Sequence, residues 1–368
     1  MAESPSDGYL RTSVDAASLA FMSFHLSRSD LLCLAKQRYG SAIRNTRLAL
    51  NSLQHHNSDH VIQSVLLLDL YEKMANRDEH HFSSWRSHAQ GALHMIEARA
   101  STDFSNPNTC QLAVTAAVAI MISCGVARVP VPATLAVVRG NLDKYVRNAK
   151  WTFTELVLDV VNLRADMQKT GPGLVNPNVA LRRAKTLDQR MASMEERLEN
   201  YGKRHRTYIT ANNPLVFGRY YDIYPSHYAT QKSNAVRMMR LEMLNIVQNL
   251  VKSENQDIHK SLATVVEGLA RCICATVPQF LLPQARTENE PILSPLQRLH
   301  CCTTLTPLYV SFWSTKDDHM KDWILGVLKH MTDFGICLAG YVSQILKSGE
   351  YVDYWTVYAT VGSYAIGA

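Results

Sequence analysis

Asp69 stands inside an apolar run, "VLLLDLYE" at 65–72. An ionised carboxylate is costly to bury without a partner. Two readings follow. Either Asp69 pairs with a basic residue or caps a loop from a nearby helix, or it serves in an interior cavity as acid, base or ligand anchor, its pKa raised by desolvation. Glu72 and His88, one helix apart, make a second polar set. They are either a buried hydrogen bond tying two helices or the polar lining of a pocket. Asp69, Glu72 and His88 are the catalytic candidates if the chain is an enzyme.

Other residues with chemical potential read as structural. In "GLARCICATVPQFLLPQ" (268–284) Cys272 and Cys274 are one residue apart. Successive helical residues turn by about 100°, so these thiols diverge and cannot share a metal. Cys301 and Cys302, adjacent in a helical pattern, diverge as well. Free cysteine packs as a small hydrophobe. "QHHNSDH" and "DEHH" bring five histidines close in sequence, but in loop-like stretches without a carboxylate at helical spacing. "YGKRHRTY" (201–208) is the one basic patch with aromatics beside it, and Glu195, Glu196 and Glu199 precede it, so a solvated surface is expected rather than a phosphate site. The aromatic "YYDIYPSHY" reads as core packing before it reads as a ligand pocket. No Gly-rich phosphate loop, Gly-x-Ser-x-Gly elbow or His-Glu-x-x-His occurs. No metal and no cofactor is expected.

The elements that would position these groups are helical. The expected fold class is all-α, a large multi-helix domain of packed antiparallel helices. "YLRTSVDAASLAFMSFHL" and "SRSDLLCLAKQRYGSAIRNTRLALNSL" are the first two, with Ser29 or Asp30 as N-cap of the second. "HVIQSVLLLDLYEKM" is apolar almost all round, which marks a helix enclosed on several sides. In "SSWRSHAQGALHMIEARA", Gly91 suggests the close approach of a neighbouring helix. "CQLAVTAAVAIMISCGVA" (110–127) carries no charge but holds Gln111, Thr115 and Ser123, and reads as a buried helix rather than a membrane span. The Pro- and Gly-bearing "KTGPGLVNPNVA" divides an N-terminal half, 1–168, from a C-terminal half, 181–368, across a connecting loop at 169–180, with the two halves expected to pack together. Late helices run through 260–277 and along "MKDWILGVLKHMTDFGICLAGYVSQIL". No strand alternation longer than a few residues is visible.

The order of these segments resembles the C-terminal helical region of fungal zinc-cluster transcription factors. "AKQRYGSAIRNTRLAL", "VIQSVLLLDLYEKM" and "WRSHAQGALHMIEAR" are similar to that family's first three helices, with Tyr39, Leu68, Glu72, Trp85, His88, Gly91 and Ala92 where the pattern puts them. "ALRRAKTLDQRM" resembles its Leu-Asp helix. "YYDIYPSHYATQKSNAVRMMRL" resembles its Tyr-rich stretch ending in Asn-x-x-Arg, here Asn234 and Arg237. "ICATVPQFL" resembles its Cys-Ala-Ser-Val-Pro ending, with Thr276 for the serine. "TPLYVSFW" followed by "WILGVLKHMTDFGICLA" is similar to its closing pair. The tryptophans and proline that follow the family's Leu-Asp helix are absent from "ASMEERLENYGKRH".

The resemblance implies a regulatory domain. The six-cysteine zinc module of the family's activators has no counterpart here: the first cysteine is Cys33, the next Cys110, and no C-x-x-C occurs. A net charge of +6 over 368 residues is too diffuse to argue for nucleic acid by itself. The expectation is a standalone regulatory module without DNA-binding capacity, linked to a specialised-metabolite gene cluster. It would bind a small apolar molecule or a protein partner, such as a full-length zinc-cluster factor, with no direct nucleic-acid and no membrane contact. The alternative is a recruited cofactor-free cyclase or isomerase that uses an apolar pocket with acid–base groups. The acidic, polar start "MAESPSDG" and the eight cysteines without a regular framework point to an intracellular location, nucleus or cytoplasm.

Overall fold

The computed structural model describes residues 7–26, 28–52, 58–75, 82–98, 104–146, 149–169, 175–201, 204–251, 256–290 and 292–361. The described residues separate into two compact units, one up to residue 165 and one from residue 166 on. The predicted all-α class holds: the structure is overwhelmingly helical, with one two-stranded sheet among the described residues.

In the first unit α3 (Asp59–Ala75) packs against α1 (Asp7–His25), α2 (Ser29–Leu50), α4 (Phe82–Ala98) and α5 (Pro107–Ala127). Its all-round apolar sequence is thereby explained. Val61, Ile62, Val65, Leu66, Leu68, Tyr71 and Met74 are all buried although they point in different directions from one axis. Ser64, Asp69, Glu72 and Lys73 are carried inward with them, while Gln63 stays exposed. α2 begins one residue earlier than the capping signal suggested. Arg28 is its N-cap and makes no side-chain cap; its guanidinium instead pairs with Asp30 in the first turn. Nor does a neighbouring helix crowd Gly91, since an added Cβ there would meet nothing within 4 Å among the described residues.

α5 has the length and apolarity of a membrane span, as does Gln256–Leu281. Its residues from Ala116 to Val126 are buried without a break, against α3, α4 and α6 (Ala133–Leu142). It starts with Asn106 accepting from the Asn108 amide and Pro107 at the first position, and ends at Arg128, whose φ of 52° is left-handed. α7 (Ala149–Gln168) follows. Asn162 on it accepts from the Val131 amide at 3.1 Å, and Trp151 lies under the Arg139 guanidinium.

The second unit opens with α8 (Pro177–Tyr201), whose first turn lies within the stretch expected to be a connecting loop. Then β1 (His205–Tyr208) pairs antiparallel with β2 (Tyr220–Ile223), Arg206 opposite Asp222. Part of the Tyr-rich stretch is thus sheet. Strands of four residues without alternation leave too little pattern to see. Next come α9 (His227–Leu250), α10 (Gln256–Thr276), α11 (Pro278–Leu281), α12 (Pro295–Cys302), α13 (Leu305–Ser314), α14 (Asp318–Asp333), α15 (Cys337–Ser348) and α16 (Tyr354–Val361).

The single late helix expected along 320–346 is two, α14 and α15. Gly335 sits at φ 85°, the Ile336 amide bonds back to Met331 and the Gly335 amide to Thr332. These paired bonds close a helix end around a left-handed glycine. The end of the described chain is fastened to the middle of this unit. The Tyr309 hydroxyl donates to the Val352 carbonyl and accepts from the Val352 amide, and the buried Glu242 carboxylate accepts from Tyr354 and Trp355.

Candidate functional site

Asp69 is 4 % exposed. Its Oδ2 accepts from Lys73 Nζ at 2.6 Å, one turn along the same helix. Its Oδ1 is buried with no hydrogen-bond partner among the described residues. Of the two readings made from sequence, pairing with a basic residue is what the structure shows, and the partner comes from α3 itself rather than from a neighbour. Burial drives the Asp69 carboxyl above the usual carboxylate range, while Lys73 and His88 pull it back.

Glu72 and His88 converge on one hydroxyl. Tyr39 from α2 donates to Glu72 Oε1, and its oxygen lies 3.3 Å from His88 Nε2 on α4. A phenol has a single proton to give. Because that proton goes to Glu72, His88 meets the hydroxyl as a donor, which fixes its neutral form as the Nε2–H tautomer. Burial lowers the His88 pKa, with Asp69 and Glu72 opposing and Lys73 adding to the fall. Burial, reinforced by Glu72, raises that of Tyr39. Tyr39 also stacks on Tyr71, ring centroids 4.2 Å apart, and burial pushes the Tyr71 phenol up to about 12.

The three expected residues therefore belong to one polar cluster across α2, α3 and α4, buried at Asp69 and Glu72 and half-buried at His88. Two further members, Lys73 and Tyr39, were not picked as site residues. The i, i+4 spacing of Asp69 and Lys73 was the available signal for the first. No sequence signal gives the Tyr39 hydroxyl its two partners, which come from two other helices. Chemically, the cluster holds an acid kept prone to protonation, a neutral imidazole and a phenol that links a carboxylate to that imidazole.

The second unit carries its own polar network, built from the motifs quoted above. Arg237, fully buried, donates to Glu195 at 2.7 Å, to Tyr224 Oη at 2.8 Å and to Asn234 Oδ1 at 3.3 Å. Asn234 Nδ2 donates to Thr276 Oγ1 at 2.9 Å, and Thr276 donates to the Ile273 carbonyl. Arg240 joins by donating to Asp188 and to Glu195. Asn-x-x-Arg, Leu-Asp and Cys-Ala-Thr-Val-Pro thus meet as one bracket holding α8, α9 and α10. Thr276 supplies the same hydroxyl that a serine would.

The basic patch is partly neutralised by Asp222 of β2. Arg206 makes two bonds to Asp222, at 2.8 and 3.1 Å, and stacks over Tyr220; Arg204 lies 3.6 Å from the same carboxylate. Lys203 and four of the five loop histidines, at 55, 56, 80 and 81, fall outside the described residues, whereas His60 lies exposed at the start of α3. Trp85 lies on α4, outside the residues whose side chains are described. Among the cysteines Cys124, Cys274, Cys301 and Cys302 are buried, Cys33 and Cys337 exposed, and none of the eight is in a disulfide. Burial pushes the Cys124 thiol up to about 11. Among the described residues no three His, Cys, Asp or Glu side chains are grouped to hold a metal ion.

One comparison with known proteins bears on the first unit. Residues 4–127 match the family model of the fungal specific transcription factor domain. No zinc-cluster family is detected. No curated protein and no solved structure matches the chain. The matched stretch spans α1 to α5 and contains the whole Tyr39–Asp69–Glu72–Lys73–His88 cluster. The Arg237 bracket lies beyond it and rests on its own geometry.

Proposed function

We propose that this chain is a regulatory helical domain of the fungal transcription factor type that acts by binding a small apolar effector or a protein partner, and that this stretch does not itself read DNA. The observation that carries the reading is the match of residues 4–127 to the fungal specific transcription factor domain. It is supported by the state of the basic patch, where Asp222 occupies Arg204 and Arg206, cations a phosphate backbone would need. A full-length zinc-cluster factor is the partner class that fits a regulatory half of this kind. The location is intracellular, and control of a specialised-metabolite gene set is the biological setting we infer.

The test combines three measurements. The purified chain alone should give no mobility shift on zinc-cluster-type DNA sites. It should co-purify with, or alter the shift of, a full-length zinc-cluster factor from the same cell. Deleting its gene should change transcript levels of target genes. Tight sequence-specific binding by the chain alone would refute the reading.

A second reading, a cofactor-free cyclase or isomerase, is favoured by one arrangement. Burial raises the pKa of Asp69 and lowers that of His88, and Tyr39 joins that imidazole to Glu72. General acid–base chemistry needs groups so tuned. Under this reading, gene deletion makes one pathway intermediate accumulate while transcripts stay unchanged, and Asp69→Ala and His88→Ala abolish its conversion.

A further inference from the structure

His227 opens α9, immediately after the cap residue Ser226; it belongs to the aromatic "YYDIYPSHY", and neither functional reading uses it. It is 8 % exposed. Its ring stacks on Phe280 of α11, centroids 4.7 Å apart, and packs against the His300 ring of α12 at 4.2 Å. Both ring nitrogens are buried and neither has a hydrogen-bond partner among the described residues. An imidazole always carries at least one N–H, so the neutral ring already leaves a donor unmet in this position. A second N–H and a full charge would add greatly to that cost.

The charged and titratable surroundings act in the same direction, with one exception. His300 faces the ring directly. Arg286 donates to the Tyr224 and Pro225 carbonyls just upstream. The positive end of the α9 dipole lies at the same place. The exception is Glu288. It is held by Arg286 at 2.6 Å, stands half exposed, and its Oε1 is 3.8 Å from His227 Nε2, outside hydrogen-bonding distance yet within a small side-chain rotation.

We infer that His227 is an acid-operated latch of the second unit: neutral, it stays seated between Phe280 and His300 and joins α9 to α11 and α12; protonated, it leaves the stack for Glu288 and loosens that junction. Two states of one side chain with a partner waiting in each make a switch rather than a gradual softening. Burial is the main cause that lowers the His227 pKa to about 4, with His300 and Arg286 adding and Glu288 opposing. An unfolded histidine titrates near 6.5, so the latch operates between about 6.5 and 4 and is closed above.

The experiment follows amide hydrogen exchange of the full chain, corrected for the intrinsic pH dependence, together with the histidine Cε1–H resonances by NMR. Between pH 7 and 4.5, amides in the first turn of α9 and in α11 and α12 should exchange at least about tenfold faster while the α14 and α15 amides hold. In His227→Phe, which keeps the stack but cannot titrate, that acid response should vanish. In Glu288→Gln the wild-type midpoint should move to lower pH. An unchanged acid response in His227→Phe overturns the inference. If that variant does not fold, the wild-type resonance decides: a His227 titrating near 6.5 overturns it, and one titrating well below, in step with the exchange, supports it.

Discussion

Lys73 and Asp69 form an ion pair in which neither side chain exceeds 6 % exposure. Removing one member of a buried pair costs about 3–5 kcal/mol, because the other charge is left in a poor solvent, whereas replacing both by apolar groups of similar volume is often neutral. Lys73→Met should therefore lower the stability of the first unit by about that amount in urea denaturation, and Asp69→Leu combined with Lys73→Met should recover most of it. His88 contributes a pH dependence. Its folded pKa is lowered by burial below the unfolded value of about 6.5, so the native state binds fewer protons than the unfolded one. Its stabilisation is full above about 6.5 and drains away as pH falls from there toward the folded value. His88→Gln should flatten that part of the acid limb in a plot of unfolding free energy against pH. At this scale the sequence disclosed the actors but only some of the contacts. A carboxylate inside "VLLLDLYE" announces that it needs company, and Lys73 is legible at four residues' distance; the Tyr39 hydroxyl is not, because its partners come from α3 and α4.

Two glycines in helical sequence behave oppositely, and the sequence reading missed both. Gly335 ends α14 at φ 85°, and an added Cβ would also come within 3.3 Å of the Arg298 guanidinium. A left-handed Cβ costs about 1–2 kcal/mol, so Gly335→Ala should lower the melting temperature. Gly91 lies inside α4 in open space, and Ala is the better helix former by about 1 kcal/mol; Gly91→Ala should raise it. Differential scanning calorimetry of both variants checks the two signs. The sequence reading missed the stop because "HMTDFGICLAG" keeps its apolar spacing across the glycine, so periodicity continued where the backbone did not. It found α3 and α5 because their apolar runs are long. The short α11, α12 and α16 and the four-residue strands give a pattern too few repeats to stand out.

Over the whole chain, a charge of +6 with Arg204 and Arg206 already paired should give only weak, unspecific attraction to polyanions. Retention on heparin should disappear by about 0.3 M salt, where the screening length has shrunk to several ångströms. Elution well above that salt concentration would show a concentrated basic face. The tie between Glu242 and Tyr354 joins residues 112 positions apart in the chain. A ribosome releases the sequence from its N-terminal end, so α9 emerges long before the residues that cover its carboxylate. The second unit therefore cannot finish assembling while it is being made. It closes only after Trp355 has cleared the exit tunnel.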